Sequence, residues 1–168
     1  QNLDSYSIEY TFADGTKALV TGRYIPRCHT DFVTFVHGTQ CAAKFSGDIH
    51  APTCWLYKDQ RTEPSNIAWR TPKETVNPWQ AEWDVLLSAI RNDRPHNETR
   101  RAALSNLGAI MGRAAVHTGQ IVTWEQAIAS KFQFCPNVDA LTESSPAPVQ
   151  ANPEGRYPAP VPGAWTEI

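Results

Sequence analysis

The chain has 168 residues, of which 41% are hydrophobic and 19% charged, the make-up of a soluble globular protein of one domain and a tail. Its formal net charge of −2 gives no electrostatic footprint for nucleic acid. No apolar run approaches the about 20 residues a membrane helix needs, so neither nucleic acid nor membrane is expected as a partner.

The chain starts at Gln1, not Met, and enters a strand-like pattern almost at once. That start fits a fragment or processed product, in which any targeting segment would have been removed. In "SYSIEYTF" Tyr6, Ile8, Tyr10 and Phe12 fall on one face and Ser7, Glu9 and Thr11 on the other, the period of a β-strand. Asp14–Gly15 is a strong hairpin signal, and "KALVTGRYI" is its partner strand, stopped by Pro26. "DFVTFVH", "CAAKF", "CWLY" and "NIAW" continue as short strands, and consecutive hairpins of this kind form an antiparallel meander.

Helical signals take over at Asn77, a capping residue followed by Pro78, with Gln80 placed to complete a capping box. Trp79, Trp83, Leu86, Leu87 and Ile90 recur at helical spacing, so their stripe is expected to pack on the sheet, with Trp79 at the edge of a cleft. A second helix is expected from Asn97 to about Thr118, stopped by Gly119, with an apolar line of Ala103, Leu107, Ile110 and Ala114. Gly108 and Gly112 lie one turn apart on it and invite close packing. Thr123 and Gln126 form the capping box of a third helix, ending near Ser130. Residues 132–168 hold seven of the 13 prolines together with scattered aromatics, and read as an extended arm that docks on a surface.

Chemistry-bearing patterns are sparse. His37-x3-Cys41 and His50-x3-Cys54 repeat one spacing, and zinc takes Cys and His. On a strand, however, positions i and i+4 lie about 13 Å apart, so buried thiols beside strand-end histidines are the simpler reading and no metal is expected. Cys28, Cys41, Cys54 and Cys135 contain no CxxC pair and are expected as reduced, partly buried thiols. Cys28 and His29 point to opposite faces if that segment is extended, which disfavours a nucleophile pair. Asn97-Glu98-Thr99 is a glycosylation sequon that also serves as a helix start. No GxSxG, HExxH, phosphate-binding loop or GxGxxG is present, so no nicotinamide site is expected in this chain. The candidate site residues are Arg27 and His29, after the second strand, and Trp79.

Taken in order, "YSIEYTFADGTKALVTGRYIP", "VHGTQCA", "NPWQAEWDVLLSAIRNDRPHNE" and "AIMGRAAVHTGQIVTWEQAI" resemble the C-terminal part of the Gfo/Idh/MocA oxidoreductases, in their secreted or Tat-exported bacterial, planctomycete-like branch. The resemblance covers about residues 5–131. It departs from the family at Cys41, where a second glycine is common. It implies an α+β domain: an open, mostly antiparallel sheet with helices packed on one face (1–131), followed by the extended Pro-rich tail (132–168). It also implies a substrate-binding and oligomerisation role in an NAD(P)-dependent sugar or polyol oxidoreductase. The NAD or NADP site would lie on a separate N-terminal domain, the chain alone would be inactive, and Arg27, His29 and Trp79 would bind substrate.

A homo-oligomer is expected through the uncovered sheet face of Ser7, Glu9, Thr11, Leu19, Thr21, Arg23 and Ile25. The location implied is the bacterial cytoplasm or, with export, the periplasm. The alternatives are a non-enzymatic carbohydrate-binding or assembly module, part of an NAD-dependent glycosidase, and, third, a zinc-binding domain.

Overall fold

The computed structural model describes residues 3–45, 53–72 and 77–168. Its elements are β1 (Ser5–Thr11), β2 (Lys17–Arg23), β3 (Thr34–His37), β4 (Ala42–Phe45), β5 (Cys54–Tyr57), β6 (Ile67–Arg70), α1 (Pro78–Arg91), α2 (Thr99–Thr118) and α3 (Trp124–Ala129). The fold is α+β, and both of its sheets are antiparallel and open. The strands divide into a β1–β2 hairpin and a β3-β4-β5-β6 meander, where the sequence reads as one run of hairpins. The chain correspondingly forms two compact units, Gln1–Pro26 with Glu98–Ile168, and Arg27–Asn97.

In the first unit the hairpin forms where the alternation and the Asp14–Gly15 pair require. The Gly15 N–H donates to the Phe12 carbonyl at 2.9 Å, Gly15 takes φ 85°, and the Thr16 N–H donates to the Asp14 carboxylate at 2.9 Å. A short turn followed by one left-handed residue matches the right-handed twist of the strands, and glycine supplies that residue without steric cost. The register sets Tyr6 opposite Gly22, Ile8 opposite Val20 and Glu9 opposite Leu19. The Tyr6 ring covers the space a Gly22 side chain would fill, since a Cβ there would lie 2.2 Å from Tyr6 Cζ.

α2 packs against β1 and α3. Gly119 ends α2 with φ 69°, and α3 opens on the expected capping box. α2 begins at Thr99 rather than Asn97, with Glu98 in the capping position and ion-paired to Arg101. The buried helix positions are Gly112, Ala114, His117 and Thr118. Of the expected apolar line, Ala114 is buried and Leu107 half-buried, whereas Ala103 and Ile110 stay exposed. The tail folds back onto the end of α2. The Gly163 N–H donates to the Thr118 carbonyl at 2.7 Å, and Pro162 lies over Gly119.

In the second unit Ala42, Ala43 and Tyr57 form the core of the meander. Beside them the buried Asn66 donates to the Asp59 carboxylate at 2.8 Å and to the Arg61 carbonyl at 2.7 Å. Arg61 and its neighbours hold the Asp59 carboxyl far below the usual carboxylate range. α1 starts where expected, with the Asn77 side chain accepting from the Trp79 and Gln80 N–H groups. The Gln80 side chain does not close a capping box and instead donates to Asp84 at 2.8 Å.

α1 departs from expectation in its packing. None of its residues is buried, and Trp83 is 59% exposed. Its stripe is present, but the periodicity identifies only which face is apolar and not what covers it.

Candidate functional site

A groove of about 230 Å3 lies between β1 and α2. Two periodicities build it. Tyr6 and Ile8 are two residues apart on one strand face, and Ala109, Arg113, Val116 and His117 share one helix face at spacings of three and four. Leu3 completes the wall. The strand approaches closely because Gly112 has no side chain: a Cβ there would lie 2.0 Å from Tyr10 Oη and 3.1 Å from Ile8 Cδ1. Tyr10 Oη donates to the Gly108 carbonyl at 3.0 Å, and burial raises the Tyr10 pKa above its ordinary value. The close approach that the Gly108/Gly112 spacing foretold is therefore made by a tyrosine side chain, and at Gly112 alone. A Cβ on Gly108 would meet nothing within 4 Å.

The polar end of the groove is completed from the tail. Glu167 is buried, with His117 Nδ1 at 2.8 Å from Oε2 and Arg113 Nε at 3.0 Å from Oε1. The Arg113 guanidinium also lies over the Phe134 ring at 4.8 Å, and Phe134 meets Phe132 edge to face. A carboxylate facing Nδ1 keeps a proton on that nitrogen, and in the neutral ring Nε2 is then an acceptor. Nε2 has no protein partner among the described residues. The result is an apolar groove ending in one imidazole and one guanidinium, with the Glu167 carboxylate buried against both.

Sequence reasoning missed this cluster. Neither His117 nor Glu167 is singled out from the sequence. Fifty residues separate them, and no local pattern links positions so far apart. The nearest signal was the i, i+4 spacing of Arg113 and His117, which places two basic side chains on one face.

The residues singled out from sequence lie in the second unit. Arg27 and His29 share the exposed loop between β2 and β3, and Trp79 is 53% exposed on the first turn of α1. Arg27 takes φ 67°, a left-handed conformation that is uncommon for a non-glycine residue. The only other such residue among those described, Asp93, lies just past the end of α1, where helices often finish in that conformation. Residues 26–28 turn rather than extend, so the opposite-face argument against Cys28 and His29 does not apply as written.

The paired His-x3-Cys pattern does not assemble either. His37 Nδ1 bonds Gln60 Oε1 at 2.9 Å, and the turn is closed by the backbone, from the Gly38 N–H to the Cys41 carbonyl at 3.0 Å. His50 lies outside the described residues. Among the described residues no three His, Cys, Asp or Glu side chains cluster as metal ligands would, and no helix is long and apolar enough to cross a membrane. All four cysteines are free, with Cys28 exposed and the others half-buried.

No protein-family model, curated protein or solved structure matches the chain.

Proposed function

We propose that this chain is the substrate-binding and oligomerisation domain of an NAD(P)-dependent sugar or polyol oxidoreductase of the Gfo/Idh/MocA kind. The nicotinamide would be held by a dinucleotide-binding domain outside these residues, and the chain by itself would not turn over substrate. The observation that carries the reading is the state of its apolar surface. No large side chain among the described residues is fully buried, while Leu19 is 72% exposed, Phe32 60% and Trp83 59%. Exposed apolar surface of this kind belongs to an interface, which favours a domain that works against partners over a self-contained module.

The hairpin supports the same reading. α2 packs against β1 on one face, and the opposite face exposes Ser7, Glu9, Thr11, Leu19 and Thr21. Self-association through that face is the assembly this proposal requires. The quoted sequence motifs supply the enzyme class. Arg27, His29 and Trp79 are the proposed substrate contacts. An exposed aromatic and two polar groups suit a hydroxylated ligand, and the left-handed backbone at Arg27 is the kind of local strain that collects at ligand-binding sites.

The test is a titration of the chain with a panel of sugars and polyols, followed by saturation-transfer NMR. Binding to at least one of them, lost in Trp79→Ala and weakened in Arg27→Ala, is the expected result. Binding to none, or binding that neither substitution alters, would overturn the assignment of these residues.

A further inference from the structure

We infer that the groove between β1 and α2 binds a small uncharged molecule with an apolar ring of about six carbons and one hydroxyl head, of the phenol or cyclohexanol class. This site does not rest on the proposed function, and none of Arg27, His29 or Trp79 lines it. Size comes first. An apolar cavity of about 150 Å3 holds benzene, and drug-sized sites begin near 300 Å3, so a groove of about 230 Å3 takes a single ring with a head group.

Charge then selects among such rings. The Glu167 carboxylate pairs with Arg113, so the two formal charges offset each other. A cationic head would face the Arg113 guanidinium, and an anionic head would add a second negative charge to an Arg113 already paired with Glu167. An uncharged head meets neither penalty.

Hydrogen bonding selects the head itself. His117 Nδ1 faces the Glu167 carboxylate, so in the neutral imidazole its proton sits on Nδ1 and Nε2 accepts. Arg113 meets Glu167 as an ion pair, Nε to Oε1 at 3.0 Å, without hydrogen-bond geometry, and its terminal N–H groups are tied to no acceptor among the described residues. A hydroxyl donates to the imidazole and accepts from the guanidinium at once. An ether can only accept, a carboxylate cannot donate, and a hydrocarbon does neither. Leu3, Tyr6, Ile8, Ala109 and Val116 supply the wall for the ring.

The experiment is an amide-shift NMR titration of the full chain with phenol, cyclohexanol, anisole, benzoate and benzylammonium. Phenol and cyclohexanol should bind in the millimolar range, shifting Ile8, Ala109 and Val116, and about tenfold more tightly than anisole, the amount a well-made hydrogen bond supplies. His117→Gln should erase the preference for phenol over anisole. Ala109→Leu fills the groove from an exposed helix position and leaves the Arg113–His117–Glu167 cluster intact, so it should abolish binding in a folded chain even if His117→Gln unfolds. Equal binding of anisole would reduce the groove to an apolar patch, and tighter binding of benzoate or benzylammonium would make it an ion site. Those results, no binding, or unchanged binding in Ala109→Leu would each overturn the inference.

Discussion

Glu167 Oε2 lies 2.8 Å from His117 Nδ1, and this buried pair fastens the tail to the last turn of α2. A carboxylate taken out of water is tolerated only while its partners remain. Removing the imidazole by His117→Ala leaves Arg113 as the only partner among the described residues and should cost about 3 kcal/mol in urea unfolding. Lys17→Ala is the comparison. It breaks the exposed 2.6 Å pair with Glu9, where solvent screening keeps the effect well below that of the buried pair. Equal costs for the two variants would mean that the tail is not fastened as described.

The two glycines of α2 should respond in opposite senses. Gly108→Ala adds a methyl group in open space and gains helix propensity, so it should stabilise by up to about 1 kcal/mol. Gly112→Ala sets a methyl group against Tyr10 Oη and should destabilise by about 1–3 kcal/mol. Tyr10→Phe in that background removes the closest atom and should restore part of the loss. Thermal unfolding of the three variants checks this.

Burial holds the Tyr10 hydroxyl above the ordinary tyrosine value of 10.0. The neutral form is therefore favoured in the folded chain. That contribution is complete below the unfolded-state pKa and is lost as the pH rises through the folded-state value. Stability should accordingly fall above about pH 10, and the fall should be shallower in Tyr10→Phe. Chemical denaturation across the alkaline range measures both slopes.

The capping box of α3 is closed in both directions, from the Gln126 N–H to Thr123 Oγ1 at 3.2 Å and from the Thr123 N–H to Gln126 Oε1 at 2.8 Å. Thr123→Ala should cost about 1 kcal/mol. Hydrogen exchange should show the loss as faster exchange in α3, with β3–β6 unchanged.

Local rules accounted for the elements. The alternation of Tyr6, Ile8 and Tyr10 yielded a strand with its apolar side toward α2, Gly15 and Gly119 fell where left-handed backbone was needed, and Thr123 with Gln126 marked a helix start. These signals act within a few residues, and chain geometry alone determines their outcome. Long-range partnership was not legible in the same way. The Trp83 stripe was recognised but assigned a sheet to cover it, whereas the helix lies exposed. Glu167 was passed over, although it is among the most buried charged residues. A charge near the end of a chain looks solvated until the fold brings His117 and Arg113 to it. Arg27, His29 and Trp79 were chosen for their place at element ends, and they are exposed there.

The measurement that bears most directly on the proposed role is sedimentation velocity of the intact chain at tens of micromolar, about the range in which weak interfaces dissociate. The account predicts a concentration-dependent dimer that Thr21→Glu, at the centre of the uncovered hairpin face, weakens without altering the circular dichroism spectrum. A chain that stays monomeric at that concentration, or a dimer indifferent to Thr21→Glu, would contradict assembly through this face.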